Sequence, residues 1–194
     1  MGRPRQFDPD DALDAAQQAF WAHGYEATSI ADLCDATGML RGSLYQAFGD
    51  KHALFLSVLD RYLARGTAQL EADLARASTP LAQLEAWLYG VAFTACPSQG
   101  PGGCMALNTL VELGPHDDAV RDRLTAHFGV IRARVVAVLE AGQRAGEVRA
   151  DLEAGVLAGY LQTVVAGLAT GARAGPQGDP AAVIAVALDS LRPR

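Results

Sequence analysis

Three groups of side chains in this sequence have types and spacings that could do chemistry. The first is basic and hydroxylic and lies near the N-terminus. Arg3 and Arg5 sit on a Gly2-Arg3-Pro4-Arg5 arm too short and polar to fold by itself, Arg41 and Ser43 flank Gly42, and Thr28, Tyr45 and Lys51 stand nearby in the chain. Groups of this kind serve phosphate oxygens and base edges, and a free basic arm can lie along phosphates or in a minor groove. The second group is Cys96 and Cys104, which flank a loop rich in glycine and proline. If that loop folds back, the two thiols could join, which would make a redox switch. The competing reading is a pair of buried, inert thiols, because no basic residue lies near either to lower its pKa. The third group is Glu112, His116, Asp117 and Asp118, which could supply acid and base groups. No nucleophile elbow, phosphate-binding glycine loop or His-Glu-x-x-His pattern accompanies them. Asp117-Asp118 after Gly114-Pro115 reads instead as a helix start, so no enzyme is expected. His116 and His127 stand at no recognisable ligand spacing from the cysteines, and neither a metal nor another cofactor is expected.

The elements that must position these groups are helices. Alanine and leucine dominate, β-branched runs are short, and helical periodicity is the one sustained signal, so the spacing predicts an all-α protein. A first helix is expected from about Asp10 to His23, with Ala12, Leu13, Ala16, Phe20 and Trp21 as its inward stripe and Gly24 as its stop. A second follows, capped by Thr28 or Ser29, with Asp32 placed for a capping box and Ile30, Leu33 and Cys34 inward. A third, short helix covers about Leu40 to Phe48. Asp50 can cap a fourth that begins at Lys51 and runs to about Ala77. Longer apolar helices are expected over Pro80 to Ala95, Cys104 to Leu113, Asp117 to Ala145, Leu152 to Ala172 and Pro180 to Leu191. The chain thus divides into residues 1–49, a three-helix head, and residues 50–194, a larger helical body.

The second and third helices, separated by a turn that contains Gly38, make a helix-turn-helix, whose second helix can enter the major groove of DNA. The charge balance neither supports nor excludes this. The 194 residues carry 22 acidic and 16 basic groups, a formal charge of −6 and a pI near 5.1. Charge acts over about 10 Å at ordinary salt, so a few well-placed arginines can hold DNA while the remaining surface is acidic. Half the residues are hydrophobic, which excludes intrinsic disorder, and three cysteines without paired zinc-type spacing fit a reducing compartment. Residues Met1 to Asp14 hold no apolar stretch of the signal-peptide kind, and a cytoplasmic protein is expected.

Residues Ala154 to Ala172 contain no charged side chain and could by length approach a membrane span. Gln162, Thr163, Thr170, four glycines and the lack of a flanking basic cluster argue for a buried helix instead. One face would meet the protein's own core and the other a second subunit.

The sequence resembles the TetR family of bacterial transcriptional regulators. The resemblance rests on Ala15-Ala16-Gln17-Gln18-Ala19-Phe20, on Gly24-Tyr25-Glu26-Ala27-Thr28-Ser29-Ile30, on Gly38-Met39-Leu40-Arg41-Gly42-Ser43-Leu44-Tyr45 and on Phe48-Gly49-Asp50-Lys51 followed by Leu54-Phe55. It covers about the first 60 residues. Beyond them only the helix layout is alike. The resemblance implies a homodimer, here through 152–172 and 180–191, that binds double-stranded operator DNA and is released by a small-molecule effector. It also implies that Thr28, Tyr45 and Lys51 bind phosphates, and that Arg41, Gly42, Ser43 and Gln46 face bases. Arg41 could pair with a guanine edge or bind only phosphate. Leu40 departs from the polar start of many relatives' recognition helices and leaves first-turn donors without a side-chain acceptor. A pocket like the family's would draw walls from Trp87, Phe93, Met105, Leu107, Phe128 and Tyr160, with Asn108, Thr109, Glu112, His127 and Gln162 as its polar groups.

Overall fold

A computed structural model describes residues 8–95, 100–174 and 178–193. Among them the chain forms nine helices and no strand: α1 (Pro9–His23), α2 (Ile30–Thr37), α3 (Arg41–Phe48), α4 (Lys51–Leu74), α5 (Pro80–Thr94), α6 (Met105–Glu112), α7 (Asp118–Arg144), α8 (Ala154–Ala174) and α9 (Pro180–Leu191). The local chemistry explains their starts. Asp8, Asp50, Asp117 and Asp179 each accept a first-turn backbone N–H at the N-terminus of a helix, and Pro9, Pro80 and Pro180 occupy first positions, where no donor is lost. Ser29 and Asp32 close a reciprocal capping box at α2.

Two apolar cores lie along the molecule. The first joins Ala16 and Phe20 of α1, Leu33 of α2, Leu44 of α3, and Leu54, Phe55 and Leu59 of α4 to Met105 of α6 and Leu124 of α7. Phe20 meets Phe55 edge-on at 5.0 Å. The second joins Leu70 and Leu74 of α4 to Leu84 and Leu88 of α5, Leu139 of α7, Leu161 of α8 and Ile184 of α9. The long helices α4 and α7 therefore run through both cores, and the first core does not close at residue 49. Cys34 packs, half-buried, against that first core.

Among the described residues, α8 alone is long and apolar enough to cross a membrane by length and composition, with a mean hydropathy of 1.3. Ala154, Leu157, Ala158, Leu161 and Ala169 bury one of its faces, against α5 and α7. Arg132 of α7 holds that packing from outside, donating to the Gly155 carbonyl at 2.8 Å and to Gln162 Oε1 at 3.2 Å. Val156 and Tyr160 on α8 and Val183 and Val186 on α9 remain exposed.

Candidate nucleic-acid interface and ligand cavity

The helix-turn-helix is assembled from inside. Leu33 and Leu44 are fully buried, and Thr37 ties the turn by donating to the Leu33 carbonyl at 2.7 Å while accepting from the Met39 N–H at 3.3 Å. With Leu44 fixed inward, helical geometry turns Arg41, Gly42, Ser43 and Gln46 outward, and all four are exposed. Arg41 sits 5.6 Å from the Tyr45 ring centre and its Nη2 lies 3.5 Å from the Tyr45 hydroxyl. Lys51 lies over the Tyr25 ring at 4.3 Å, which fixes its ammonium beside the turn before α2. Leu40 is 79% exposed and supplies no side-chain cap to α3. The first-turn N–H groups there stay open to an external acceptor.

Thr28 departs from expectation. It is completely buried, and its hydroxyl donates to the Gly24 carbonyl at 2.6 Å. That side chain holds the head's own turn and is out of reach of a phosphate. Arg3 and Arg5 lie outside the described residues.

Glu112 and Arg173 fasten the backbone of this head to the body, Arg61 and Arg65 of α4 pair with Asp10 and Asp14 of α1, and His52 with Asp117 joins α4 to α7 beside them. Glu112 of α6 accepts the Tyr25 N–H at 3.1 Å and the Glu26 N–H at 2.9 Å. Arg173, near the end of α8, donates to the carbonyls of Trp21 at 3.0 Å and Ala22 at 3.1 Å, at the C-terminus of α1. His52 of α4 meets Asp117, the N-cap of α7, at 2.6 Å. Burial opposes ionisation of Asp117, but the Val120 N–H and the His52 imidazole outweigh it and hold the carboxyl below its usual range. Glu112 and Asp117, which could have been acid–base groups, are thus committed to structure.

Below the head lies a cavity of about 550 Å3. Its wall takes residues from α1, α4, α5, α6, α7 and α8, with Trp21, Trp87, Leu107, Phe128, Ile131 and Val165 as its main apolar surface. Close approach of α4 and α5 shapes one end: a β-carbon at Gly90 would fall 2.0 Å from Asp73 Oδ2. Asp73 is buried there and receives Gln69 at 2.8 Å and Arg76 at 3.1 Å. At the other end the Tyr62 hydroxyl lies 3.6 Å from Cys104 Sγ and accepts the Met105 N–H at 3.2 Å. Burial pushes the Tyr62 hydroxyl pKa up, and the neighbouring Cys104 adds to this. Burial lowers the pKa of His127, which keeps its imidazole neutral at pH 7.

Of the pocket residues expected from sequence, the structure brings Trp87, Leu107, His127, Phe128 and Gln162 to this wall. Six lie elsewhere. Phe93 is 63% exposed on the outer side of α5 and Tyr160 is exposed on α8. Met105 is buried in the first core and Thr109 is buried within α6. Asn108 does not line the cavity, and Glu112 is spent on the head's backbone. Sequence reasoning missed Gln17 and Trp21 of α1, which do line it. The available signal was a glutamine at position 17 on the apolar stripe between Leu13 and Trp21. A Cys96–Cys104 link lies outside the described residues at its Cys96 end. Among the described residues, no three His, Cys, Asp or Glu side chains gather as a metal site.

An all-helical chain with an exposed recognition helix on a small head, and a cavity where that head meets a helical body, has the architecture of a DNA-binding transcriptional regulator. Comparison with known proteins gives the lineage. The family model described as "Bacterial regulatory proteins, tetR family" matches residues 12–58, and "Tetracyclin repressor-like, C-terminal domain" matches residues 80–188. The chain belongs to the TetR family of transcriptional regulators. It is 35% identical to the HTH-type transcriptional repressor ComR of Escherichia coli (strain K12) over 175 residues, 90% of this chain and 83% of that protein. The repressor BdcR of the same organism is 32% identical over the same shares. Among solved structures, a cysteine mutant of the TetR family regulator CifR complexed with 26-bp double-strand operator DNA has a TM-score of 0.78 at 30% identity, covering 98% of this chain and 100% of that one. A TetR-family regulator from Agrobacterium tumefaciens has a TM-score of 0.84 at 25% identity, covering 94% and 96%.

Proposed function

We propose that this regulator is a cytoplasmic repressor that binds a palindromic operator as a homodimer and is released when a small molecule fills the cavity below its head. Residues 1–49 act as the DNA-binding part and 50–194 as the effector-binding and dimerisation part. Arg41, Gly42, Ser43 and Gln46 face bases. Tyr45 and Lys51 hold phosphates, joined by Arg3 and Arg5 of the N-terminal arm. The repressor assignments of ComR and BdcR and the operator complex of CifR support this direction of regulation. Dimerisation through α8 and α9 is supported by their exposed Val156, Val183 and Val186, apolar groups that a second copy would cover.

The observation that carries the release step is the composition of the cavity wall, which contains α1 of the head as well as α4, α7 and α8 of the body. Two recognition helices must sit about 34–36 Å apart to use successive half-sites. A ligand that binds better when that spacing is wrong weakens operator binding by its difference in affinity for the two states. Fluorescence anisotropy on the DNA immediately upstream of the protein's own gene, against a scrambled fragment at physiological salt, tests the reading. Saturable preference at one dimer per site is expected. Equal affinity for both fragments would overturn the assignment of that operator.

A further inference from the structure

We infer that the cavity takes an uncharged, largely apolar ligand whose head group both donates and accepts a hydrogen bond, an alcohol being the simplest, and that Gln17 and Trp21 of the DNA-binding head bind this group. The inference rests on the effector reading proposed above and specifies its chemistry. Gln17 is 7% exposed and Trp21 8% exposed, both line the cavity, and Gln17 Oε1 and Trp21 Nε1 have no hydrogen-bond partner. Buried polar atoms are paired as a rule, and exceptions call for an explanation. Here one atom accepts and the other donates, and a four-residue step places both on one face of α1. A hydroxyl satisfies both: it accepts from the indole N–H and donates to the amide oxygen.

The charges around the wall argue against an ionised ligand. Arg65 is paired with Asp14 at 2.7 Å. Asp73 is paired with Arg76 at 3.1 Å and bonded by Gln69 at 2.8 Å. His127 is held neutral by burial, with Thr67 Oγ1 3.3 Å from its Nδ1. A carboxylate or an ammonium would lose water in the cavity and find no free counter-charge. The rest of the ligand meets Trp87, Leu107, Phe128, Ile131 and Val165. Recognition by α1 also gives the ligand a direct hold on the head, because the backbone carbonyl of Trp21 is one that Arg173 grips.

The test uses the full chain with both of its tryptophans kept and 15N-labelled, Trp87→Phe serving only to assign the Trp21 indole resonance. It is titrated with n-decanol, decanoate and decylammonium below their aggregation limits, with the indole N–H resonances as readout. Saturable binding of n-decanol is expected, with the Trp21 Nε1–H resonance moving downfield as it gains a partner. The two ionised probes should bind at least about tenfold more weakly. Gln17→Leu should weaken n-decanol by about fivefold, yet leave the probe-free thermal midpoint equal or higher, since it removes an unpartnered buried amide. A merely structural role for Gln17 would lower that midpoint. The inference is overturned if decanoate or decylammonium binds as well as n-decanol, if Gln17→Leu leaves n-decanol affinity unchanged, or if no probe saturates. Operator anisotropy on the same samples separates the two readings. Selective n-decanol binding that leaves operator affinity unchanged overturns effector release and upholds the head-group assignment. Operator release by an ionised probe alone does the reverse.

Discussion

A β-carbon at Gly24 would lie 2.9 Å from both carboxylate oxygens of Glu112, so the turn after α1 and the end of α6 meet as closely as a glycine permits. Gly24 also adopts φ +85°, a conformation that L side chains rarely take. The approach puts the Tyr25 and Glu26 N–H groups onto the carboxylate. This contact spans 87 residues of sequence and makes the head's first turn dependent on the body.

Glu112→Ala orphans both N–H groups and should destabilise the fold by about 1–3 kcal/mol. Amide hydrogen exchange at Tyr25 and Glu26 should accelerate before exchange elsewhere in α1. Glu112→Gln keeps one acceptor and should retain protection at one amide only. Unchanged exchange at both amides in Glu112→Ala would show that the turn stands without the body.

The outward cations of the head and its buried Thr28 hydroxyl should part company in a binding assay. Lys51→Ala is expected to weaken operator binding uniformly across sequences and to lower the slope of log affinity against log salt by about one. Arg41→Ala should cost about 1–3 kcal/mol and relax selectivity at one base pair if it reads a guanine edge, or behave like Lys51→Ala if it binds phosphate. Thr28→Val, whose hydroxyl bonds only to Gly24, should lower the urea midpoint and leave the salt slope intact. A reduced slope in Thr28→Val would restore its phosphate role.

The ends of the helices were legible because capping is local. Ser29 with Asp32 and Asp117 before α7 each announce a helix within four residues of sequence, and α9 runs from Pro180 to Leu191 as the pattern requires. The cavity was only partly legible. An apolar stripe says which side of a helix is buried, and leaves open whether it meets a core, a cavity or a second chain. Met105 and Phe128 are both apolar residues of body helices, yet Met105 fills a core and Phe128 lines the cavity. Phe93 faces outward because α5 buries Leu84, Trp87 and Leu88 instead. The joints made by Glu112 and Arg173 were invisible, since no short-range pattern marks a side chain whose partners are backbone groups far away in the chain. Gln17 was the readable exception, a polar residue in an apolar stripe.

Acid should weaken the body through His127. Burial holds its folded-state pKa below the unfolded value, so as pH falls past about 6.5 the unfolded chain takes up a proton that the folded chain refuses. Stability therefore declines as pH drops from 7 toward the folded pKa and is flat above that window. His127→Gln removes the refusal, and its urea midpoint should fall less than that of the parent between pH 7 and pH 5. An identical decline in both proteins would place the acid sensitivity on other groups.

Arg173 offers the sharpest test of how α8 communicates with the head. Its two guanidinium nitrogens each hold one carbonyl at the end of α1, 3.0 Å from Trp21 and 3.1 Å from Ala22. The last carbonyls of a helix have no partner within it, and a cation there is also favoured by the helix dipole. A lysine can supply charge but not two donors in a fixed fork. Arg173→Lys should accordingly recover the dipole contribution, about 0.3–1 kcal/mol, and leave one carbonyl without its donor. Arg173→Ala should lose both contributions, about 1–3 kcal/mol in total by urea denaturation, and fray the last turn of α1 in hydrogen exchange. If α8 acts on the head through this fork, both variants should reduce the effect of a cavity ligand on operator affinity while leaving the affinity of that ligand for the free protein within about twofold. Full ligand response in Arg173→Ala would assign the communication to the remaining links, α4, Glu112 and the cavity face of α1.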